Sequence, residues 1–160
     1  MVKWLVFIGG RAMSGEIPGL LGMAFHAVME EVHVRLAEEG FDDVRPAHGF
    51  AFQYLSVRGG ATAVELGEHL GVTKQAAVQL VDELEKRGYV ERRPHPVDRR
   101  ARVVVLAARG WACVRRVVAL WAEIEARWAV LVGAERLTAV REALSAYVIE
   151  AGSPPIRPLW

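Results

Sequence analysis

Three groups of residues in this sequence have types and spacings that could do chemistry. The first is basic. Between Lys86 and Arg102 stand seven bases (Lys86, Arg87, Arg92, Arg93, Arg99, Arg100, Arg102) and two acids, Glu91 and Asp98. That excess, on a chain whose net charge is only +1, suggests a local contact with a polyanion, because phosphate neutralisation dominates nucleic-acid affinity. A solvated charged hairpin is the bland alternative. The second group is Lys74, Gln75, Val78 and Asp82, which share the outward face of one helix, with Gln79 at its border. Lysine suits phosphate or guanine, glutamine an adenine edge, and valine a thymine methyl. The third is His26, Glu30 and His33. Steps of four and three put them on one helix face, and Glu30-x-x-His33 is half of a di-iron carboxylate signature. No second Glu-x-x-His exists to complete it, so the polar flank of an amphipathic helix is the better reading and no metal or other cofactor is expected.

The elements that must carry these residues are mostly helical. Leu21, Phe25, Val28, Val32 and Leu36 recur at steps of three and four, which predicts a helix over 17–39 closed by Gly40. A second helix is expected from Pro46 through Phe50, Phe52, Tyr54 and Leu55 to Gly59-Gly60. Thr62 can cap a short helix that Gly71 breaks, and Thr73 can cap the next, which buries Ala77, Leu80, Val81 and Leu84 and stops at Gly88. Tyr89–Arg93 and Arg102–Leu106 are β-branched and alternating around a turn-rich Pro94–Ala101, which predicts a β-hairpin with a long tip. After it, Val114, Val117, Trp121, Ile124, Trp128 and Leu131 form a heptad seam on a helix over 107–132. A last helix is expected through Leu137, Val140, Leu144 and Val148 before a proline-rich tail. A helix that long and apolar beside so small a middle domain needs a partner surface, and a second copy of the chain is the natural one.

Two short helices joined by a glycine turn make a helix-turn-helix, whose second helix enters the major groove. The tip Pro94-His95-Pro96-Val97-Asp98-Arg99-Arg100 suits a narrow minor groove, whose negative potential attracts arginine. Asp98 can fix that tip by accepting hydrogen bonds and pairing one arginine so that the other points outward. The stretches Glu65–Gln75, Leu80–Arg92 and Asp98-Arg99-Arg100 resemble the MarR family of winged helix-turn-helix transcription regulators, over roughly residues 46–110. The resemblance implies a homodimer whose body is built from the first and last two helices. It also implies helix 73–87 in the major groove, the wing around Arg100 in the minor groove, and release of DNA when a small, often phenolic or aromatic, molecule enters a cleft between body and wing. The sequence departs from the family pattern at Gly67, where alanine is usual, and at Ala76 and Val78, where serine or threonine is frequent. It also lacks the first-helix cysteine of oxidation-sensing members; the sole cysteine, Cys113, reads as a buried inert thiol.

The composition, 52% hydrophobic and 24% charged, is that of a folded chain rather than a disordered one. No apolar run approaches the ~18 residues of a membrane span, and Trp4–Ile8 falls short of the ~7–15 of a signal peptide, so no membrane partner and a cytoplasmic location are expected. No His-Glu-x-x-His or Gly-x-Ser-x-Gly suggests an enzyme. The expected architecture is mainly α with a small β-hairpin wing. It comprises a disordered leader (1–15), a dimerisation helix (16–45), a winged helix-turn-helix domain (46–106), and dimerisation helices with a tail (107–160). The expected function is sequence-specific binding of double-stranded DNA by a homodimer on a pseudo-palindromic operator, as a repressor released by a small aromatic effector. An interaction protein that has lost specific DNA binding is the competing class. The residues expected at DNA are Thr73, Lys74, Gln75, Val78 and Gln79 on the helix, with Arg92, Arg93, Asp98, Arg99 and Arg100 on the wing. The aromatic supply near the expected cleft nominates His33, His48, Phe50, Tyr54 and Trp111 for an effector.

Overall fold

The computed structural model describes residues 16–98 and 100–153. The expected leader, Arg99 and the tail beyond Ser153 lie outside the described residues. Six helices and one hairpin follow in chain order: α1 (Ile17–Leu36), α2 (Pro46–Arg58), α3 (Ala63–Leu70), α4 (Lys74–Lys86), β1 (Val90–Pro94), β2 (Arg102–Leu106), α5 (Ala108–Val132) and α6 (Ala134–Glu150). The fold is therefore mainly helical, with a two-stranded antiparallel wing, flanked on both sides by further helices.

Local chemistry sets the boundaries. Proline opens α2, and Gly59 closes it in the left-handed region at φ +76°. At α3 the Thr62 hydroxyl accepts from Glu65 N at 3.2 Å, while the Glu65 carboxylate accepts from Thr62 N at 2.7 Å, a reciprocal cap. Thr73 caps α4 by accepting from Ala76 N at 3.2 Å. The first helix stops near its expected end: past Leu36 the chain widens into one turn over Ala37–Phe41, and Gly40, left-handed at φ +87°, breaks the helical path there.

Helices α3 and α4 approach each other closely at Gly67. A Cβ added at Gly67 would lie 3.0 Å from the Ala77 Cβ, so the departure from alanine at this position has a steric reason. The two small residues let α3 and α4 cross closely enough for Leu66, Leu70, Val81 and Leu84 to share one core with Leu55, Tyr89, Val104 and Leu106. In the wing, Val90 pairs with Leu106, Arg92 with Val104 and Pro94 with Arg102. Ala61 adds a bridge to Val104 through hydrogen bonds of 2.8 and 3.0 Å, which ties the hairpin to the segment ahead of α3.

Within the single chain the heptad seam of the long helix α5 is only partly covered. The buried positions of the helix are Gly110, Cys113, Leu120 and Ile124, whereas Trp121 and Trp128 remain about two-fifths exposed and Leu131 is 81% exposed. The reason is that one flank of α5 packs against α1, α2 and β2, and the seam lies a little around the cylinder from that flank. Only Ile124 belongs to both. Among the described residues no helix is long and apolar enough to cross a membrane.

Two glycines make opposite predictions. A Cβ at Gly110 would stand 2.2 Å from the Tyr89 carbonyl oxygen, a backbone atom that cannot yield, whereas nothing lies within 4 Å of a Cβ at Gly49 in α2. Gly110→Ala should therefore destabilise by about 1–3 kcal/mol through overpacking. Gly49→Ala should stabilise by roughly 0.5–1 kcal/mol, the helical advantage of alanine. Denaturant unfolding of both variants beside the parent checks the pair, and equal shifts of one sign would contradict it.

Candidate nucleic-acid interface

The reading face of α4 follows from what the helix buries. Ala77, Val81 and Leu84 point into the core, which leaves Thr73, Lys74, Gln75, Ala76, Val78, Gln79 and Asp82 exposed on the other side. All five helix residues nominated from the sequence are thus at the surface on one continuous strip. Among the described residues, Lys74 makes no ion pair.

The wing flanks this strip because of one arginine. From β1, Arg92 pairs with both Asp82 and Glu85 of α4, and its own backbone N donates to Glu85 Oε1 at 3.0 Å. The sequence reading put Arg92 at phosphates; here both ends of its guanidinium are occupied by carboxylates. It neutralises the two acids that would otherwise repel a polyanion from the middle of α4. Arg93 is more open, with its Nε donating to Glu91 Oε1 at 2.7 Å along the strand.

The wing tip is held by side-chain-to-backbone bonds. His95 Nδ1 accepts from Val97 N at 3.2 Å and from Asp98 N at 3.0 Å. Asp98 Oδ1 accepts from Arg100 N at 2.9 Å, and the Asp98 carbonyl accepts from Ala101 N at 3.1 Å. Asp98 therefore fixes the tip as expected of an acceptor, but through backbone rather than by pairing a described arginine. The Arg100 side chain is exposed and makes no ion pair among the described residues, and Arg99 lies outside them.

The likeness to known proteins falls on the same region. The sequence model of the MarR family matches residues 42–101, from the turn before α2 to the end of the wing tip. That segment, 60 of the 160 residues, is similar to the MarR family. The chain is 47% identical over 51 residues to YcgE of Bacillus subtilis (strain 168), an uncharacterized HTH-type transcriptional regulator; the match spans 32% of this chain and about a third (33%) of that relative's length. The fold is similar to that of RV1404 from Mycobacterium tuberculosis, with a TM-score of 0.74 and 25% identity over 91% of this chain and 99% of the other. It is also similar to the transcriptional repressor CouR bound to a 23-mer DNA duplex, with a TM-score of 0.55 and 26% identity over 87% and 99% of the two chains.

A second feature lies between α1, α2 and α5. A cavity of about 170 Å³ is lined by Phe25, Met29, His33, Phe50, Gln53 and Trp121 among others. Of the residues nominated for an effector, His33 and Phe50 line it and the other three do not. His48 is buried at the start of α2, where its Nδ1 accepts from Arg45 N at 3.1 Å. Tyr54 stacks on His69, with ring centroids 4.1 Å apart, beneath Arg58. Trp111 sits on the first turns of α5, away from the cavity. Sequence reasoning missed Phe25, Met29 and Trp121. Phe25 and Met29 are four apart on α1, and that spacing was the available signal. His33 Nδ1 donates to the Met29 carbonyl at 2.6 Å, and the His26, Glu30 and His33 set brings no metal cluster together among the described residues. Cys113 lines the cavity floor fully buried, and burial pushes its thiol up to about 11, which leaves it protonated and inert at neutral pH.

His48 yields a pH prediction. Burial holds its imidazole below the usual histidine range, with Glu83 opposing and Arg87 and Arg45 assisting. Below about pH 6.5 the unfolded chain takes up a proton that the folded chain refuses, so stability falls with pH in that window and levels off under the folded value. The carboxylates of Glu39, Glu65 and Glu123, held low by hydrogen bonds from Arg116 and Thr62, add their loss only at more acid pH. Unfolding midpoints from pH 8 to 5 should decline in the parent and flatten in His48→Asn, whose amide oxygen can still accept from Arg45 N. An unchanged slope in the variant would assign the decline elsewhere.

Proposed function

We propose that this protein binds double-stranded DNA sequence-specifically as a homodimer and acts as a repressor on a pseudo-palindromic operator. The observation that carries the reading is the Arg92 tie. It makes helix α4 and the wing one rigid unit with a continuous exposed face, free of uncompensated acid at its centre. Thr73, Lys74, Gln75, Val78 and Gln79 then face the major groove, and the wing with Arg93, Asp98, Arg99 and Arg100 follows the minor groove. Arg92 acts here by holding the two elements together.

Dimerisation is supported by exposed apolar surface on the flanking helices. Ile17, Leu20 and Phe25 of α1, Val130 and Leu131 of α5, and Tyr147 and Ile149 of α6 are all more than half exposed. Exposed apolar surface of this kind on helices outside the winged unit is what a partner protomer covers. The cavity between α1, α2 and α5 is the effector site in this reading. Its described polar groups are His33, Gln53 and Ser56, with no Lys or Arg in the lining. Burying a carboxylate there without a cation would cost several kcal/mol, so the ligand class narrows from aromatic acids and phenols to neutral phenols.

Selection of bound sequences from a random DNA pool tests the function directly. A palindromic consensus with half-sites about 10–10.5 bp apart is the expected result, and no enrichment would leave the chain as an interaction protein. On the selected operator, Arg100→Ala should weaken binding by about 1–3 kcal/mol, while Gln75→Ala should relax preference at one base position per half-site. Leu144→Asp combined with Val148→Asp, at exposed sites on α6, should give folded monomers by sedimentation. Phenol should release DNA at lower concentration than benzoate, and the reverse order would refute the neutral-ligand assignment.

A further inference from the structure

The winged unit is joined to the flanking helices by two covalent connections, the segment between α1 and α2 and the junction from β2 into α5. One carboxylate touches both. Asp43 lies in the first connection. Its Oδ1 accepts the Tyr89 hydroxyl proton and accepts from Arg109 Nη2 at 3.3 Å, and Arg109 belongs to the first turn of α5. Its backbone carbonyl accepts from Arg87 Nη1 at 2.6 Å, and Arg87 is the residue that ends α4. Arg109 completes the ring by donating to the Arg87 carbonyl at 3.0 Å and to the Gly40 carbonyl at 3.1 Å.

The inner side of the cluster is buried, while the Arg109 side chain on its outer side is 41% exposed. Tyr89 is fully buried, the Arg109 guanidinium lies 4.5 Å from its ring centroid, and Phe52 packs on it at 5.2 Å. Burial and the Asp43 carboxylate push the Tyr89 hydroxyl far above the ordinary tyrosine value, so it stays a hydrogen-bond donor. The end of α4, the start of β1 and the start of α5 therefore converge on one acceptor. A swing of the winged unit about the flanking helices has to break several of these bonds together.

We infer that Asp43 is a positioning residue for operator binding: through Arg87, Tyr89 and Arg109 it sets the orientation of α4 relative to the α1–α5 body, and thereby the spacing of the two reading helices in a dimer. The inference rests on the dimeric DNA-binding reading for its consequence, but the orientation itself can be measured without DNA. Asp43 faces Arg87 and Arg109, and it contributes no contact of its own to the reading face. Asp43→Asn removes a negative charge, so simple attraction to phosphate would raise DNA affinity. A positioning role requires the opposite sign.

The test uses the full chain with spin labels at Glu68→Cys on α3 and Arg115→Cys on α5, both exposed positions, since buried Cys113 stays unlabelled. The parent should give a narrow intrachain distance distribution. Asp43→Asn should broaden it, and so should Tyr89→Phe, which deletes one hydroxyl, keeps the ring packing and keeps the charge. On operators whose half-site separation varies by one and two base pairs, both variants should lose the sharp optimum of the parent. Their affinity for the best operator should fall about tenfold, the size of one charge-assisted hydrogen bond. Distributions as narrow as the parent's, with an unchanged spacing optimum, would overturn the inference even if both variants melt earlier. If the parent selects no operator, the DNA-binding reading falls, while the distance distributions still decide whether Asp43 holds the orientation.

Discussion

The close crossing of α3 and α4 is the constraint on which the rest of the molecule depends. Gly67 and Ala77 are the residues that permit it, and Gly71, left-handed at φ +70°, turns the chain sharply enough to make it happen. Once α4 lies that near to α3, its rotation about its own axis is set by which residues fill the shared core. Ala77, Val81 and Leu84 fill it. A rotation by one residue, about 100°, would carry Val78 and Asp82 into the core and lift Ala77 and Val81 out of it. The exposed strip is therefore a consequence of packing on the opposite side. The polar residues that could read bases sit where they do because apolar ones elsewhere leave them no choice.

Electrostatics in the winged unit show a division of labour among arginines that charge counting conceals. Arg87 and Arg92 are held by acids and backbone, and Arg109 by backbone carbonyls and Asp43. Arg100 and Arg102 at the far end of the hairpin make no such pair among the described residues. Partly exposed ion pairs contribute little stability individually, but a guanidinium bridging two carboxylates from another element restricts geometry more than a lone pair does. The basic run is thus two populations: cations that build the unit, and cations left over at its tip.

Much of this was legible in the sequence wherever a local rule decides the outcome. Thr62 with Glu65, Thr73, Pro46 and the glycines at 59, 71 and 88 mark element ends by chemistry confined to a few neighbouring residues, and the structure uses each. The strip on α4 was legible too, since periodicity alone separates Ala77 and Val81 from Gln75 and Val78. What could not be read depends on contacts across elements. Arg92 looks like any wing cation until the hairpin register sets it against Asp82 and Glu85, ten and seven residues back in the chain. The heptad seam of α5 is a real pattern, but it does not say which flank the rest of the chain will cover. Aromatic type alone could not sort Phe50, which lines the cavity, from Tyr54, which stacks on His69. Gly67 is the opposite case, a departure whose reason became visible only with Ala77 beside it.

The hydrogen bonds inside the wing tip settle a question of proton placement. Because His95 Nδ1 receives two backbone N–H groups, from Val97 and Asp98, a neutral His95 carries its proton on Nε2. The turn selects the tautomer, and the tautomer fixes what the imidazole offers to its surroundings. That is a donor, and in the proposed DNA-bound arrangement it would meet the acceptors of the minor groove, adenine N3 and thymine O2. Protonating Nδ1 would add a charge at the tip but remove the acceptor that holds the turn. Shape and charge at this one ring are coupled in opposite senses.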